Sequence, residues 1–505
     1  MTDIDRAPDL TTALRIARRR HLLGDEATSP DGPPVQDATG TVIDLLAALT
    51  SIGDRSAVTA IADLLVRMSG TDIEQTSDDE EGDLSDVGAA LGRCGELDRA
   101  ERFAATVCHP LERDSVWIGL VIALTETGDL ARAEQAAEAI VEPDSSSSAL
   151  LDLARLLARA GDSAGARRNA LRARELITVI AETVDRMQQL NYLAQVLLAL
   201  NEMEEARQVA AEAAEIAASA TDPQDPDWAS VYAIHALALT GEFDRAEQVM
   251  AGITDESARG TALVKLVDGL GRAAEIDRAL AAIATADATI DADDREAALV
   301  RLVRNLIQAQ DFVRAESIIS ALPAPRSRAD ALGELAGALA AAGDPGPARR
   351  LAEQAQQVAA TIDDPITRSF VRNEFVDTVI GSGDFDLAEI VVLAEAESQN
   401  EVSELNRLAR AMIDGGDRAG ARRLIERTAQ LAFEPGAPRA GSWDLSLLAE
   451  NLHAVGETER AQRALIEATR SGLWFLTLAA AATVDPDAVR AVATDVLEDA
   501  AQNRV

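Results

Sequence analysis

One short phrase constrains this chain more than anything else in it. Residues 128–140 read GDLARAEQAAEAI, 241–253 read GEFDRAEQVMAGI and 383–390 read GDFDLAEI. The phrase is anchored at Gly53, Gly95, Gly128, Gly161, Asn201, Gly241, Ala274, Gln310, Gly343, Gly383, Gly416 and Gly456, and an acidic residue follows every anchor. An Ala stands five residues after all of them except the weak first, where Val58 takes the place. Upstream, an apolar column lies four residues before the anchors, from Leu91 and Leu124 to Met412 and Leu452. A second lies eight before, from Val87 and Leu120 to Leu408 and Leu448, and a third, mostly Leu, eleven before. Apolar residues at i, i+3 and i+7 mark one buried stripe on a helix, here helix A. Gly ends it, because Gly takes the left-handed C-cap at little cost. Ala133, Ala137 and Ile140 keep helical spacing on a second helix, B. A helix–turn–helix unit repeated at such a period is the signature of an α-solenoid.

Successive anchors are 42, 33, 33, 40, 40, 33, 36, 33, 40, 33 and 40 residues apart. The difference between 33 and 40 is close to two helical turns, which preserves the phase of the buried stripe. The choice follows one residue. Ala-Glu in the phrase (Glu101, Glu134, Glu247, Glu316, Glu389) precedes a step of 33, and Ala-Arg (Arg167, Arg207, Arg349, Arg422) a step of 40. The pattern predicts two repeat subtypes that differ in the length of helix B.

These residues resemble the tetratricopeptide repeat family, whose pattern is Trp-x2-Leu-Gly-x2-Tyr, a Gly at the turn, Ala-x3-Phe and a late Pro. The unit nearest to it carries Trp117, Leu120, Val121, Leu124, Gly128 and Ala133. Elsewhere Leu replaces the Trp and Tyr, and Ala or Met the Phe, so the chain reads as an aliphatic variant. The resemblance covers about 95–470. It implies one continuous right-handed α-solenoid of about eleven or twelve antiparallel helix pairs, with helices A lining the concave side.

Composition narrows the function. The net charge is −39, which argues against nucleic acid or an anionic membrane as partner, since phosphate contacts need a basic face. Lys265 is the only lysine, and the Ala and Arg excess suits a high-GC bacterial genome; adaptation to salt is the other reading. Two cysteines outside any CxxC, Cys94 and Cys108, fit a reduced cytoplasmic setting. The arginines at 15–20 have no apolar stretch behind them, so no secretory signal reads there, and no run is long enough to span a membrane. Those arginines are expected to pair with the protein's own acidic surface or to line one side of an N-terminal cap helix, in preference to binding nucleic acid.

By domains, 1–40 reads as an N-terminal helix, about 8–23, and a Pro/Gly linker. Residues 41–94 form degenerate first repeats with an acidic loop, 71–86. The repeats proper run from 95 to 470, and 471–505 is a pair of capping helices covering the last apolar face. The acidic run of Asp78, Asp79, Glu80 and Glu81 lacks the alternating ligands of a calcium loop. DADD at 291–294 suits the capped start of a helix better than an acid motif needing an aromatic cavity, because aromatics are only 3%. No histidine pair has metal-ligand spacing, and no nucleophile elbow or phosphate loop appears. No cofactor, metal or catalytic residue is therefore assigned, and an enzyme is not expected.

The groove is the expected site. Side chains of helix A off the apolar stripe give Asn191, Gln195, Trp228, Tyr232, His235, Lys265, Asp268, Arg301, Arg304, Arg407 and Arg410 as partner-binding candidates. Lys265, Arg301 and Arg304 gather basic charge in an acidic protein, as a carboxylate-bearing segment would require. Trp117, in the Leu column, is expected in the core. The functional expectation is a non-catalytic scaffold or adaptor holding a peptide or protein in the groove. The alternative is a peptide-sensing component of a bacterial signalling or conflict system, for which no effector motif is visible.

Overall fold

The computed structural model describes residues 9–22, 38–72, 81–107, 109–219, 226–286, 290–393, 401–433, 440–471 and 474–502. Every regular element among them is helical. A first helix, α1 (Leu10–Leu22), precedes twelve antiparallel pairs, each an A helix and a B helix. They are α2 (Ala38–Ile52) with α3 (Arg55–Asp72), α4 (Glu81–Arg93) with α5 (Leu97–Thr106), and α6 (Pro110–Thr127) with α7 (Leu130–Glu138). Next come α8 (Pro143–Arg159) with α9 (Ser163–Ile177), α10 (Thr183–Ala199) with α11 (Met203–Ser219), and α12 (Pro226–Leu239) with α13 (Phe243–Met250). Then α14 (Glu256–Arg272) pairs with α15 (Ile276–Thr285), α16 (Ala292–Gln308) with α17 (Phe312–Ile319), and α18 (Pro325–Ala341) with α19 (Pro345–Ala359). The last are α20 (Pro365–Gly381) with α21 (Phe385–Leu393), α22 (Glu401–Asp414) with α23 (Arg418–Phe433), and α24 (Ser442–Ala454) with α25 (Thr458–Ala468). Two 3-10 turns, Thr469–Ser471 and Trp474–Thr477, lead into α26 (Leu478–Val484) and α27 (Pro486–Ala501). The chain is thus an all-α tandem helical repeat.

All twelve anchors have positive φ, and they are the only described residues that do. Nine are Gly; Asn201, Ala274 and Gln310 adopt the same left-handed turn at φ near 60°. The turn closes helix A because the amide after the anchor reaches back to the carbonyl of the Leu four before it, as in Asp129 to Leu124 at 2.9 Å and Asp311 to Leu306 at 2.8 Å. The acidic residue then serves helix B. Asp129, Asp162, Asp311 and Asp417 accept a backbone N–H as N-caps, while the longer Glu96, Glu242 and Glu275 make no such bond. The Ala five residues on, from Ala100 to Ala461, is buried in every repeat, and so are the apolar columns four and eight before the anchors. The DADD segment behaves as its sequence suggests: Asp291 caps α16 through the amide of Asp293 at 3.2 Å.

The seven-residue step resides in helix B. The A helices α8, α10, α14, α16, α18 and α20 all have 17 residues. Helices α5, α7, α13, α17 and α21 have 8–10, whereas α9, α11, α19 and α23 have 15–17. The Arg of Ala-Arg reaches the next turn: Arg422 donates to the Val455 carbonyl at 3.0 Å, and Arg167 pairs with Glu202. The Glu of Ala-Glu instead accepts from an Arg on the next B helix, as in Glu247–Arg278 at 2.8 Å, Glu316–Arg350 at 2.9 Å and Glu389–Arg423 at 2.8 Å.

The chain forms two compact units, Met1–Ala139 with Ala388–Val505, and Ile140–Leu387. In the first, the C-terminal helices do more than cover the last repeat. Helix α26 packs on α2 as well as on α24 and α25, and α27 packs on α1, α2 and α3. Within this unit the helices of residues 388–505 therefore pack directly on those of residues 1–139. Arg490 of α27 pairs with Asp54 at 3.1 Å, and Trp474 is fully buried near this junction. The basic N-terminal helix pairs with the acidic surface as expected, Arg15 with Asp495 at 2.6 Å and Arg18 with Asp499 at 2.7 Å. Within the same unit α4 and α6 cross at backbone distance. A Cβ on Gly88 would stand 2.1 Å from the Val116 carbonyl oxygen, and one on Gly119 would stand 1.9 Å from that of Ser85. Asp78, Asp79, Glu80, Cys108 and the 23–37 linker lie outside the described residues.

Candidate interaction surface

The A helices α8 to α18 of the second unit each contact the next, so equivalent positions on them form rows. The rows nine and six residues before the anchors carry the chemistry. Both tyrosines of the chain, its only lysine and one of its four histidines fall there, on three consecutive A helices: Tyr192 on α10, Tyr232 and His235 on α12, Lys265 on α14. In a chain with 3% aromatics and a single Lys, that is a concentration of scarce residue types.

Asp268 is the centre of the arrangement. Its carboxylate lies 3.0 Å from Arg272, 3.4 Å from His235 Nε2 and 4.0 Å from Arg301. The Asn305 amide donates to its carboxylate at 3.3 Å and to its main-chain carbonyl at 3.1 Å. Burial opposes ionisation of Asp268. The His235 hydrogen bond and the Arg272 and Arg301 charges outweigh it and hold the carboxyl at about 2. Burial, with Lys265 and Arg272 nearby, keeps His235 below the ordinary imidazole value, so the ring is neutral at neutral pH. Lys265 is half-buried, and burial and the Arg301 charge push its ammonium down. One carboxylate thus faces two guanidinium groups, with a lysine beside them.

The flanking helices continue the row. Tyr192 donates to Asp152, which also pairs with Arg155 at 3.0 Å; burial and that carboxylate raise the phenol. Tyr232 donates to the Gln188 side chain at 3.4 Å. Trp228, at the start of α12, is 38% exposed, and Gln195 is exposed.

Several candidates are placed differently from the expectation. Asn191, His235 and Asp268 are buried at 7%, 7% and 4% exposure rather than open to a groove. His235 and Asp268 meet across neighbouring A helices, and Asn305 joins Asp268 from the next, which accounts for the burial of that pair. Arg304 is held by a bidentate pair with Glu334 of α18 at 2.7 and 2.9 Å, so it is not available as a third clamp residue. Arg407 and Arg410 belong to the first unit and do not join this set. There Arg410 lies 3.6 Å from both Glu450 and Asp414, and the Arg407 charge acts on the half-buried Asp444. Trp117, expected in the core, is only half-buried and lines a cavity of about 440 Å³ with Arg99, Arg102, Leu120 and Arg132. Sequence reasoning missed Arg272, Asn305 and Glu334. Arg272 and Glu334 sit one turn or one repeat from a named candidate, where a comparison of charge between adjacent repeats would have found them; the uncharged Asn305 gives no such signal.

Among the described residues no helix is long and apolar enough to cross a membrane. No family model and no curated protein matches this chain. Solved structures similar to it include a circular tandem repeat protein with a novel repeat topology and enhanced subunit contact surfaces. It is 16% identical over 98% of this chain and 97% of that one, with a TM-score of 0.23. Ton1535 from Thermococcus onnurineus is 14% identical over 72% and 97%, with a TM-score of 0.26. Naa15/Naa10 bound to HypK-THB is 16% identical over 83% and 68%, with a TM-score of 0.28.

Proposed function

We propose that this protein is a non-catalytic interaction scaffold in the cytoplasm, and that it holds a peptide or protein partner against the A helices α10 to α16. The observation that carries the reading is that both tyrosines and the only lysine of the chain, Tyr192, Tyr232 and Lys265, fall in one row with Arg301 next along it. Tyr rings give contact area at low entropic cost, and under-neutralised cations beside them suit an acidic group. Lys265 and Arg301 supply the cations, Tyr232 and Trp228 the apolar contact, and Gln195 adaptable hydrogen bonding. Asn191, His235, Asp268 and Asn305 hold the helices in register beneath.

A photo-crosslinking residue at position 232 tests this in native lysate, with the same residue at Val313, 82% exposed on α17, as control. The expected result is one reproducible partner at position 232, absent at 313 and reduced when Lys265 and Arg301 are both changed to Glu. Equal capture at both positions, or none at 232, would sink the reading.

A further inference from the structure

Helix α1 differs in kind from the rest of the chain. It reads LTTALRIARRRHL, with Arg15, Arg18, Arg19 and Arg20 and no acid, in a protein of net charge −39. It lies against α25, α27 and the two 3-10 turns. Helix α27, which it meets, carries Asp487, Asp495, Glu498 and Asp499 against a single Arg490.

The contact has two layers. Beneath, Leu10, Ala13, Leu14 and Ala17 are buried at 2% exposure or less, at i, i+3, i+4 and i+7. Above them, Arg15 makes a forked pair with Asp495 at 2.6 and 3.1 Å, and Arg18 reaches Asp499 at 2.7 Å. Three of these four charged side chains are 28–49% exposed, so salt screens the pairs. An isolated helix of 13 residues is marginal in water, so α1 owes its form to this docking. The surface beneath does not depend on α1 in the same way. Helix α27 also packs on α2, α3 and α26, and Arg490 ties it to Asp54 at 3.1 Å.

We propose that the face of α25 and α27 is a docking site for a basic amphipathic helix, and that α1 is its displaceable internal occupant. The site takes small and medium apolar side chains at i, i+3, i+4 and i+7, with arginines at i+5 and i+8. The partner is a protein segment of that chemistry. When it binds, α1 leaves, so α1 sets the threshold of affinity a partner must exceed.

The test uses the full chain and a fluorescein-labelled peptide of residues 8–23 as probe. Arg15→Glu/Arg18→Glu should loosen α1 and let the peptide bind at least ten-fold tighter than it binds the wild type. Binding should weaken in 0.5 M NaCl, and it should vanish when Asp495→Lys/Asp499→Lys is added. Hydrogen exchange on the wild type is the second measurement, needed if the variant fails to fold. The α1 amides should exchange faster than those of α27, and faster again in high salt. The proposal is overturned if the peptide binds the variant no better than the wild type. It is equally overturned if α1 and α27 exchange together at every salt concentration.

Discussion

The Asn305 amide donates at 3.1 Å to the main-chain carbonyl of Asp268, in the A helix one repeat earlier, and at 3.3 Å to the carboxylate of the same residue. One side chain thereby fixes both the backbone of α14 and the orientation of the acid at the centre of the polar row. Gly271 makes room for it, since a Cβ there would lie 2.5 Å from the Asn305 amide nitrogen. Asn305→Leu should remove both bonds and crowd Gly271. The expected loss is about 1–3 kcal/mol, read as a lower urea midpoint of the transition that reports Ile140–Leu387. A midpoint within error of wild type would mean that Asn305 does not anchor the row.

The same acid sets a pH dependence. Asp268 is held at about 2, below its unfolded value of 3.8. A depressed carboxyl contributes stability that is present above the unfolded value and lost as pH falls through the folded one. Thermal melts should therefore show a loss between about pH 4 and 2 that Asp268→Asn lacks, on the order of 2 kcal/mol. His235 acts higher. Its folded value lies below the ordinary 6.5, so the unfolded chain takes up a proton first as pH falls, and stability declines from about pH 6.5 downward. His235→Leu should flatten that upper slope and also shrink the lower one, because the His235 hydrogen bond helps hold the Asp268 carboxyl down.

Three turns carry avoidable strain. Ala274 sits at φ 61°, and Gln310 at φ 59°, where nine other anchors use Gly. The left-handed conformation costs a non-Gly residue about 1–2 kcal/mol, part of which the greater freedom of Gly in the unfolded chain offsets. Ala274→Gly and Gln310→Gly should each stabilise by about 0.5–1 kcal/mol, and Asn201→Gly by less, because Asn tolerates this region. Gly128→Ala should cost about 1 kcal/mol with no steric part, since a Cβ there meets nothing within 4 Å.

The α4–α6 crossing makes the opposite case. Gly88→Ala or Gly119→Ala forces a methyl onto a main-chain carbonyl that has no rotamer to give. A loss above about 3 kcal/mol is expected, and the double variant should not be additive, because either change already separates the helices. Additive losses below 1 kcal/mol would show that the helices can slide apart freely.

The turns and the buried columns were readable because they are local. A left-handed residue, the acid after it and the Ala five further on announce a helix end, a cap and a close contact within a few positions. The B-helix lengths were readable because the step of 33 or 40 preserves phase. The rotation of the polar row was not readable. Whether His235 faces solvent or a neighbour depends on Asp268, 33 residues away, and the fate of Arg304 on Glu334, 30 residues away. Each column looks open when read along its own helix, and only a comparison between neighbouring repeats shows that the charges meet. The pairing of Arg15 with Asp495, 480 residues apart, has no periodic signal at all.

The packing of α26 and α27 on α1, α2 and α3 has a consequence for synthesis. On the ribosome, Ile140–Leu387 emerges as one uninterrupted stretch and can complete its own core while translation continues. The stretch before it is placed differently. Met1–Ala139 waits with the partner faces of α1, α2 and α3 uncovered until α26 and α27, more than three hundred residues further along the chain, have left the exit tunnel. The earlier half of this unit thus reaches its native packing only after the intervening unit has been made.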